Sequence, residues 1–272
     1  MIVERTRVKS AWLDLREPAD AVARSPDLVE RLRRRHPATS WVIHDLACGT
    51  GSMGRWLAPF LSGSQRWVLH DLDEDLLDVA AADLPGPAAD GASVVVETRQ
   101  SDVTRLSLDD LAGATLITAS ALLDLLTQDE LAGLIDVCAE AGCPVLLSVS
   151  VVGRVELAPA DALDSRVAAA FDAHQRRMTS RGRLLGPDAV AAAVEGFRRL
   201  GAKVLVRPTP WRLGAADAQL AAEWLIGWIG AACEESVELA SAIGPYARRR
   251  LAQARAGDLA VNVGHDDVLV LP

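Results

Sequence analysis

Asp45-Leu46-Ala47-Cys48-Gly49-Thr50-Gly51-Ser52 places a carboxylate and two glycines at fixed spacing, directly after the apolar run 41–46 and before a helical pattern. Lacking a Cβ, Gly49 and Gly51 are free to take positive φ and let the backbone approach a bound ligand. The helix beginning near Ser52 directs free N–H groups at the same spot. Such a turn cradles a nucleotide-like ligand. About 20 residues on, the run 67–70 ends in Asp71, a carboxylate suited to accept hydrogen bonds from both hydroxyls of a ribose. Asp73 beside it reads as a helix cap. A third run, 92–97, leads to Ser101-Asp102-Val103, where a carboxylate next to a backbone amide can read the amino edge of an adenine. A fourth, 114–119, ends in Ser120. Strand ends on one edge of a parallel sheet form the ligand crevice of open α/β folds, so these positions are expected to converge.

The pattern Asp/Glu-x-x-x-Gly-x-Gly, met here by Asp45, Gly49 and Gly51, resembles the glycine motif of the class I S-adenosylmethionine-dependent methyltransferases, and the resemblance covers most of residues 41–152. It implies S-adenosylmethionine as cofactor. Asp45 and the backbone of Ala47, Cys48, Gly49 and Gly51 would line its methionine part, and Asp71 would hold the ribose. Leu72 would pack on the adenine, Asp102 and Val103 would contact its amino group and ring, and Ser120 would sit beside the sulfonium.

A nicotinamide or flavin dinucleotide fold is the rival, because Gly49-Thr50-Gly51-Ser52-Met53-Gly54 also satisfies Gly-x-Gly-x-x-Gly. Asp45 argues against it, since a carboxylate there repels a pyrophosphate and attracts an ammonium. An NAD(P)-dependent oxidoreductase and a cofactor-binding but catalytically idle partner subunit stay open beside the methyltransferase.

The elements that must hold these residues read as an α/β fold: a doubly wound, mostly parallel seven-stranded sheet with an antiparallel edge strand, an N-terminal helical cap and helical insertions. One domain over 1–272 is expected, with the cap at 1–40, the cofactor-binding core at 41–152, and insertions at 153–185 and 214–257 that build or cap the substrate pocket. Within the cap, Trp12, Leu13, Leu15, Val22, Leu28 and Leu32 form an apolar stripe, and Pro18 is expected to start a new turn. The resemblance suggests that Trp12 and Arg16 close over the cofactor; plain packing and a surface ion pair are the other reading. Helices are expected over 128–141, 186–200, 215–232 and 234–256, and strands over 144–152 and 203–207. The last strand, 259–271, bends at Gly264-His265-Asp266-Asp267 and pairs with 203–213.

For acid–base work the candidates are His174, in the polar helical run 168–178, and Asp124, just past Ser120. His265 and Asp266 form an oriented pair only if the turn joins them. Alignment of donor and acceptor supplies most of the rate in such a transfer, so a catalytic base is not obligatory. Thr118-Ala119-Ser120-Ala121-Leu122 lacks the Asn/Asp-Pro-Pro-aromatic pattern that methyltransferases of base amines and planar amides place at the end of the fourth strand, so the resemblance disfavours such acceptors.

With 272 residues, half of them hydrophobic and 24% charged, the chain can bury a full core. A net charge of −9 disfavours a nucleic-acid surface and favours a small-molecule substrate; Arg33–Arg35 and Arg248–Arg250 read as solvated helix faces. Cys48, Cys138, Cys143 and Cys233 show no metal-ligand spacing and read as reduced thiols, and no metal is expected. With no apolar signal and no membrane span in the pattern, a cytoplasmic monomer or homodimer is expected.

Overall fold

The computed structural model describes residues 8–35, 39–83 and 85–272. In chain order the elements are α1 (Ser10–Ala23), α2 (Pro26–Arg35), β1 (Ser40–Leu46), α3 (Ser52–Leu57), β2 (Ser64–Asp71), α4 (Glu74–Ala82), β3 (Val94–Gln100) and β4 (Leu116–Ser120). There follow α5 (Gln128–Glu140), β5 (Val145–Ala158), α6 (Asp164–Gln175), β6 (Met178–Thr179), β7 (Gly182–Arg183), α7 (Ala189–Arg199), β8 (Lys203–Pro208) and β9 (Trp211–Leu213). The chain ends in α8 (Ala218–Glu235), α9 (Val237–Ala242), α10 (Gly244–Ala256) and β10 (Ala260–Leu271).

Local chemistry sets many of the boundaries. Asp73 caps α4 by accepting from the Asp75 N–H at 3.1 Å, and Thr127 and Glu130 close a reciprocal capping box on α5. Gly257, with φ of +76°, ends α10.

An eight-stranded sheet has the order β3-β2-β1-β4-β5-β10-β8, with β9 also on β10. Strands β3, β2, β1, β4 and β5 are mutually parallel, and β10 runs antiparallel to β5, β8 and β9. The expected antiparallel strand is present one place in from the edge, and β8 and β9 share its outer side. The region 203–213 therefore does pair with the last strand.

Apolar clusters cover both faces of the sheet, with α5 and α7 on one and α2, α3 and α4 on the other. A third cluster lies under α1, α6, α8, α9 and α10. It rests on the far halves of β5 and β10, strands of 14 and 12 residues that outrun the five-residue β4. At about 3.3 Å per residue, such strands project well beyond the sheet's C-terminal edge and carry the cap.

Several expectations are corrected. The link after 152 is sheet as far as Ala158, because Val155 and Leu157 face the third cluster while Arg154 and Glu156 alternate outward. The expected helix 234–256 breaks into α9 and α10, where Gly244 and Pro245 open a new first turn. The bend at 264–267 is two register shifts inside a continuous β10. Pro18 lies inside α1, which is held there by packing on the third cluster and by side-chain bonds across its turns. The outer parts of the expected cap, 1–7 and 36–38, lie outside the described residues.

Candidate active site

The glycine turn leaves β1 through three left-handed residues, Ala47, Gly49 and Gly51, with φ of +53°, +55° and +85°. For Ala47 this conformation is strained, and the neighbours hold it. Cys48 N–H donates to the His70 carbonyl at 2.9 Å, and Gly49 N–H to Asp71 Oδ2 at 2.9 Å. The other Asp71 oxygen accepts from the Asp73 N–H at 3.0 Å, so this carboxylate ties the turn to the end of β2. A Cβ on Gly49 would come 3.0 Å from Leu13, because α1 lies across the turn. Glu17, one helical turn beyond Leu13, accepts from Arg55 Nε and Nη2 at 2.8 and 2.5 Å and fixes α1 to α3. Cys48 is buried, which pushes its thiol well above the usual range.

Asp45 is 1% exposed. Its Oδ1 accepts from the Thr118 hydroxyl of neighbouring β4 at 2.7 Å, and its Oδ2 is buried without a partner. Burial raises its pKa to about 7, against the opposing pull of the Thr118 bond and the Arg24 charge.

Arg24 is likewise 1% exposed, at the junction of α1 and α2. It donates to the Ser52 carbonyl (3.3 Å), the Ser52 hydroxyl (3.1 Å) and the Ser120 hydroxyl (3.0 Å), and lies 5.5 Å over the Trp56 ring. Burial lowers its pKa, while the charges of Asp20, Asp45 and Asp267 act to keep it protonated. Asp267 accepts from the N–H groups of Ser25 (2.9 Å) and Val149 (2.8 Å) and from the Thr209 hydroxyl (3.0 Å). One buried carboxylate thus anchors the Arg24 junction, the strained Val149 (φ +53°) and the β8–β9 link.

On the neighbouring strand ends, Leu72 is 42% exposed and Val103 is buried. Asp102 accepts from the Thr104 N–H at 3.0 Å and the Thr104 hydroxyl at 2.7 Å. Behind them His44 and His70 stack with nitrogens 3.0 Å apart, and His70 reaches the Ser101 hydroxyl at 3.0 Å. Burial brings both rings down to about 4, so they are neutral near pH 7.

On the other side of the crevice Asp124 is half-buried just beyond β4. Gln175 Nε2 approaches its Oδ2 at 3.5 Å, and Gln175 Oε1 is buried without a partner. Burial raises the Asp124 pKa to about 6, opposed by its own backbone N–H and by the charges of Arg16 and Arg177. Arg16 is bound at both donors by Asp20 (2.8 and 3.2 Å) and lies 5.0 Å over the Trp211 ring, whose N–H also donates to Asp20 at 2.9 Å.

No family model and no curated protein matches this chain. Among solved structures it is similar to the cyclopropane synthase MmaA2 from Mycobacterium tuberculosis, with TM-score 0.50 and 13% identity over 97% of this chain and 94% of that one. The class I methyltransferase fold is present here. Other similar structures are a cyclopropane-fatty-acyl-phospholipid synthase-like protein from Lactobacillus casei (TM-score 0.49, 13% identity, 97% and 100% covered) and an S-adenosyl-L-homocysteine complex of a SAM-dependent methyltransferase from Geobacter sulfurreducens (0.43, 16%, 98% and 100%).

Within this methyltransferase fold, Asp45, Ala47, Cys48, Gly49, Gly51, Asp71 and Ser120 come together around one turn, with Leu72, Asp102 and Val103 beside it. Arg16 is turned away from that turn. Leu13 meets Gly49 and Glu17 holds Arg55, whereas Arg16 is taken up by Asp20 and lies over the Trp211 ring. His174 pairs with Glu234 of α8 at 3.0 Å, where α6 packs on α8. His265 is buried against Trp211 at 5.2 Å, neutral with its pKa lowered to about 4 by burial; Asp266, the next strand residue, points to the opposite face, so the two form no pair.

Arg24 carried no signal in the sequence, and Thr118, Gln175 and Asp267 fall within the runs 118–122, 168–178 and 264–267, where no role was assigned to them. Two open clefts of about 300 Å³ each lie at the other end of the sheet, along Arg35, Thr115 and Leu271 and along Arg31, Lys203 and Leu205. That is the end remote from the strand carboxyl termini, where ligands of this fold bind. Among the described residues no helix is long and apolar enough to cross a membrane.

Proposed function

We propose that the chain transfers a methyl group from S-adenosylmethionine to a small-molecule acceptor. The observation that carries this reading is the unpartnered, buried Oδ2 of Asp45 beside the buried guanidinium of Arg24, at the mouth of a left-handed glycine turn. An α-amino acid end, ammonium and carboxylate together, is complementary to that pair; a pyrophosphate would meet Asp45 unfavourably. When bound, the cofactor supplies an electrophilic methyl group on its sulfonium.

In this reading Asp45 accepts the methionyl ammonium and Arg24 faces the carboxylate. Asp71, already aimed at the turn, has lone pairs left for the ribose hydroxyls. Leu72 and Val103 flank the adenine, and Asp102 with the backbone of Val103 meets its amino edge. Ser120, oriented by Arg24, borders the reacting carbon. Helix α1 covers the turn and keeps water out, so the chemistry rests on alignment of donor and acceptor. Asp124, with its pKa near 6, is the group placed to take the proton released by the acceptor at neutral pH. His174 moves no proton in this scheme. The net charge of −9 supports a small molecule over a nucleic acid as acceptor.

Calorimetric titration with S-adenosylmethionine, S-adenosylhomocysteine and NADH in parallel tests the reading. Binding of the two sulfur nucleosides without NADH is the expected result. Binding of NADH alone would overturn the role given to Asp45 and move the chain to the oxidoreductases.

A further inference from the structure

Asp45 and Thr118 are register partners on the parallel strands β1 and β4, so their side chains stand on one face of the sheet, and the Thr118 hydroxyl donates to Asp45 Oδ1 at 2.7 Å. Their surroundings on that face are apolar. Ile43 and Leu116, two residues back on the same strands, and Leu146, the partner of Thr118 on β5, all belong to one buried cluster. Thr118 is itself 0% exposed, and Asp45 is the one partner of its hydroxyl among the described residues. A valine would fill the same space with no hydroxyl to desolvate, so the bond to Asp45 is what accounts for a threonine here.

A bond that served only to satisfy a buried carboxylate would leave no oxygen over. Oδ2 of Asp45 is nevertheless buried and bare, and no cation pairs with this carboxylate among the described residues. Arg24, whose charge acts on Asp45 from the α1–α2 junction, directs its Nη donors to Ser52 and Ser120 instead. Asp71, the other charge acting on Asp45, is taken up at the end of β2 by the N–H groups of Gly49 and Asp73. For a ligand, a hydroxyl and a cation are very different partners on Asp45. A guanidinium would stand where an incoming ammonium must go and would cancel the charge that attracts it. A hydroxyl gives one hydrogen bond and carries no charge, and the β-branched threonine has few rotamers in which to give it.

We infer that Thr118 is a positioning residue for cofactor binding, whose hydroxyl holds Asp45 by Oδ1 and leaves Oδ2 to the ammonium of the methionyl end. This rests on the methyl-transfer reading. Thr118 takes no part in bond making and acts through Asp45 alone. Burial favours the neutral carboxyl, and the Thr118 hydrogen bond opposes it by favouring the charged form. Without that bond Asp45 ionises only at higher pH, so its hold on an ammonium weakens at neutral pH before it weakens in alkali.

The test is calorimetric titration of the full chain with S-adenosylhomocysteine across a series of pH values. Wild-type affinity should start to fall as pH drops below about 7. In Thr118→Val that bend should lie about one unit higher or more, which leaves affinity at neutral pH roughly tenfold weaker while the two curves converge in alkali. Thr118→Ser keeps the hydroxyl and should restore the wild-type bend; Thr118→Ala reads the same upward shift if the valine variant does not fold. A wild-type affinity that is independent of pH, a bend that stays in place without the hydroxyl, an equal loss at every pH, or no recovery in Thr118→Ser overturns the inference. The wild-type titration separates the two levels: no binding of S-adenosylhomocysteine at any pH sinks the methyl-transfer reading itself, whereas binding with an unmoved bend in the variants sinks only the role of Thr118.

Discussion

Around the glycine turn, side chains are spent on backbone: Asp71 holds Gly49 and Asp73, Asp102 holds Thr104, and Asp267 holds Ser25 and Val149. Across the crevice, Asp124, Gln175 and Arg177 are left with long, partial or backbone-only contacts. The first region is pinned from several strands at once. The second is held by fewer and longer bonds. Buried atoms without partners occur on both sides, Oδ2 of Asp45 and Nε of Arg24 at the turn and Oε1 of Gln175 across from it, and each is a place where a bound polar group would recover free energy.

The largest expected effect tests whether the pinned side depends on Arg24. Arg24→Met leaves Asp20, Asp45 and Asp267 without their shared cation and should lower unfolding free energy by about 3–5 kcal/mol in urea denaturation. A loss below about 1 kcal/mol would show that the turn stands without it. On the less-bonded side, Asp124→Asn should cut turnover by roughly 10²-fold or more, followed as S-adenosylhomocysteine released with an acceptor found by screening, and leave cofactor affinity as it was. Equal losses in both quantities would erase the division between the regions. Asp71→Ala should weaken S-adenosylhomocysteine binding by about 1.5–3 kcal/mol, measured by calorimetry, through lost charge-assisted bonds. Unchanged affinity would remove Asp71 from the ribose site.

Acid sharpens the comparison further. A carboxyl with a pKa of about 7 in the free protein must ionise to bind an ammonium, so cofactor binding expels a proton below that pH. S-adenosylmethionine affinity should weaken about tenfold per unit as pH falls below 7 and level off above it, while Asp45→Asn should bind weakly with no such slope. The smallest effect belongs to His174, whose partner Glu234 is 73% exposed. His174→Ala should change stability by less than about 0.5 kcal/mol and leave turnover intact, and a large drop in turnover would restore it as a base.

The strands up to β5, the turn between Asp45 and Gly51 and the acidic strand end at Asp71 were legible because their signals are local: residue alternation, glycine conformational freedom and a carboxylate at a strand terminus. The sheet extension beyond Val152 was less so, since Arg154 and Glu156 on its outer face masked the two-residue period of Val155 and Leu157. Pro18 misled because the rule for an isolated helix yields to tertiary packing.

By itself the sequence determined a doubly wound sheet with a glycine turn between its first strand and the helix after it, since hydrophobic period and turn chemistry act over a few residues. Tertiary structure alone decided that Arg24 and not Arg16 lies over the turn, that Thr118 bonds Asp45, and that Asp267 fastens the Ser25 junction. Those contacts join residues 28 and 96, 73, and 242 positions apart. Which partner a buried charge takes depends on what chain closure brings within about 3 Å of it in a low-dielectric interior, and no periodicity along the chain encodes that distance.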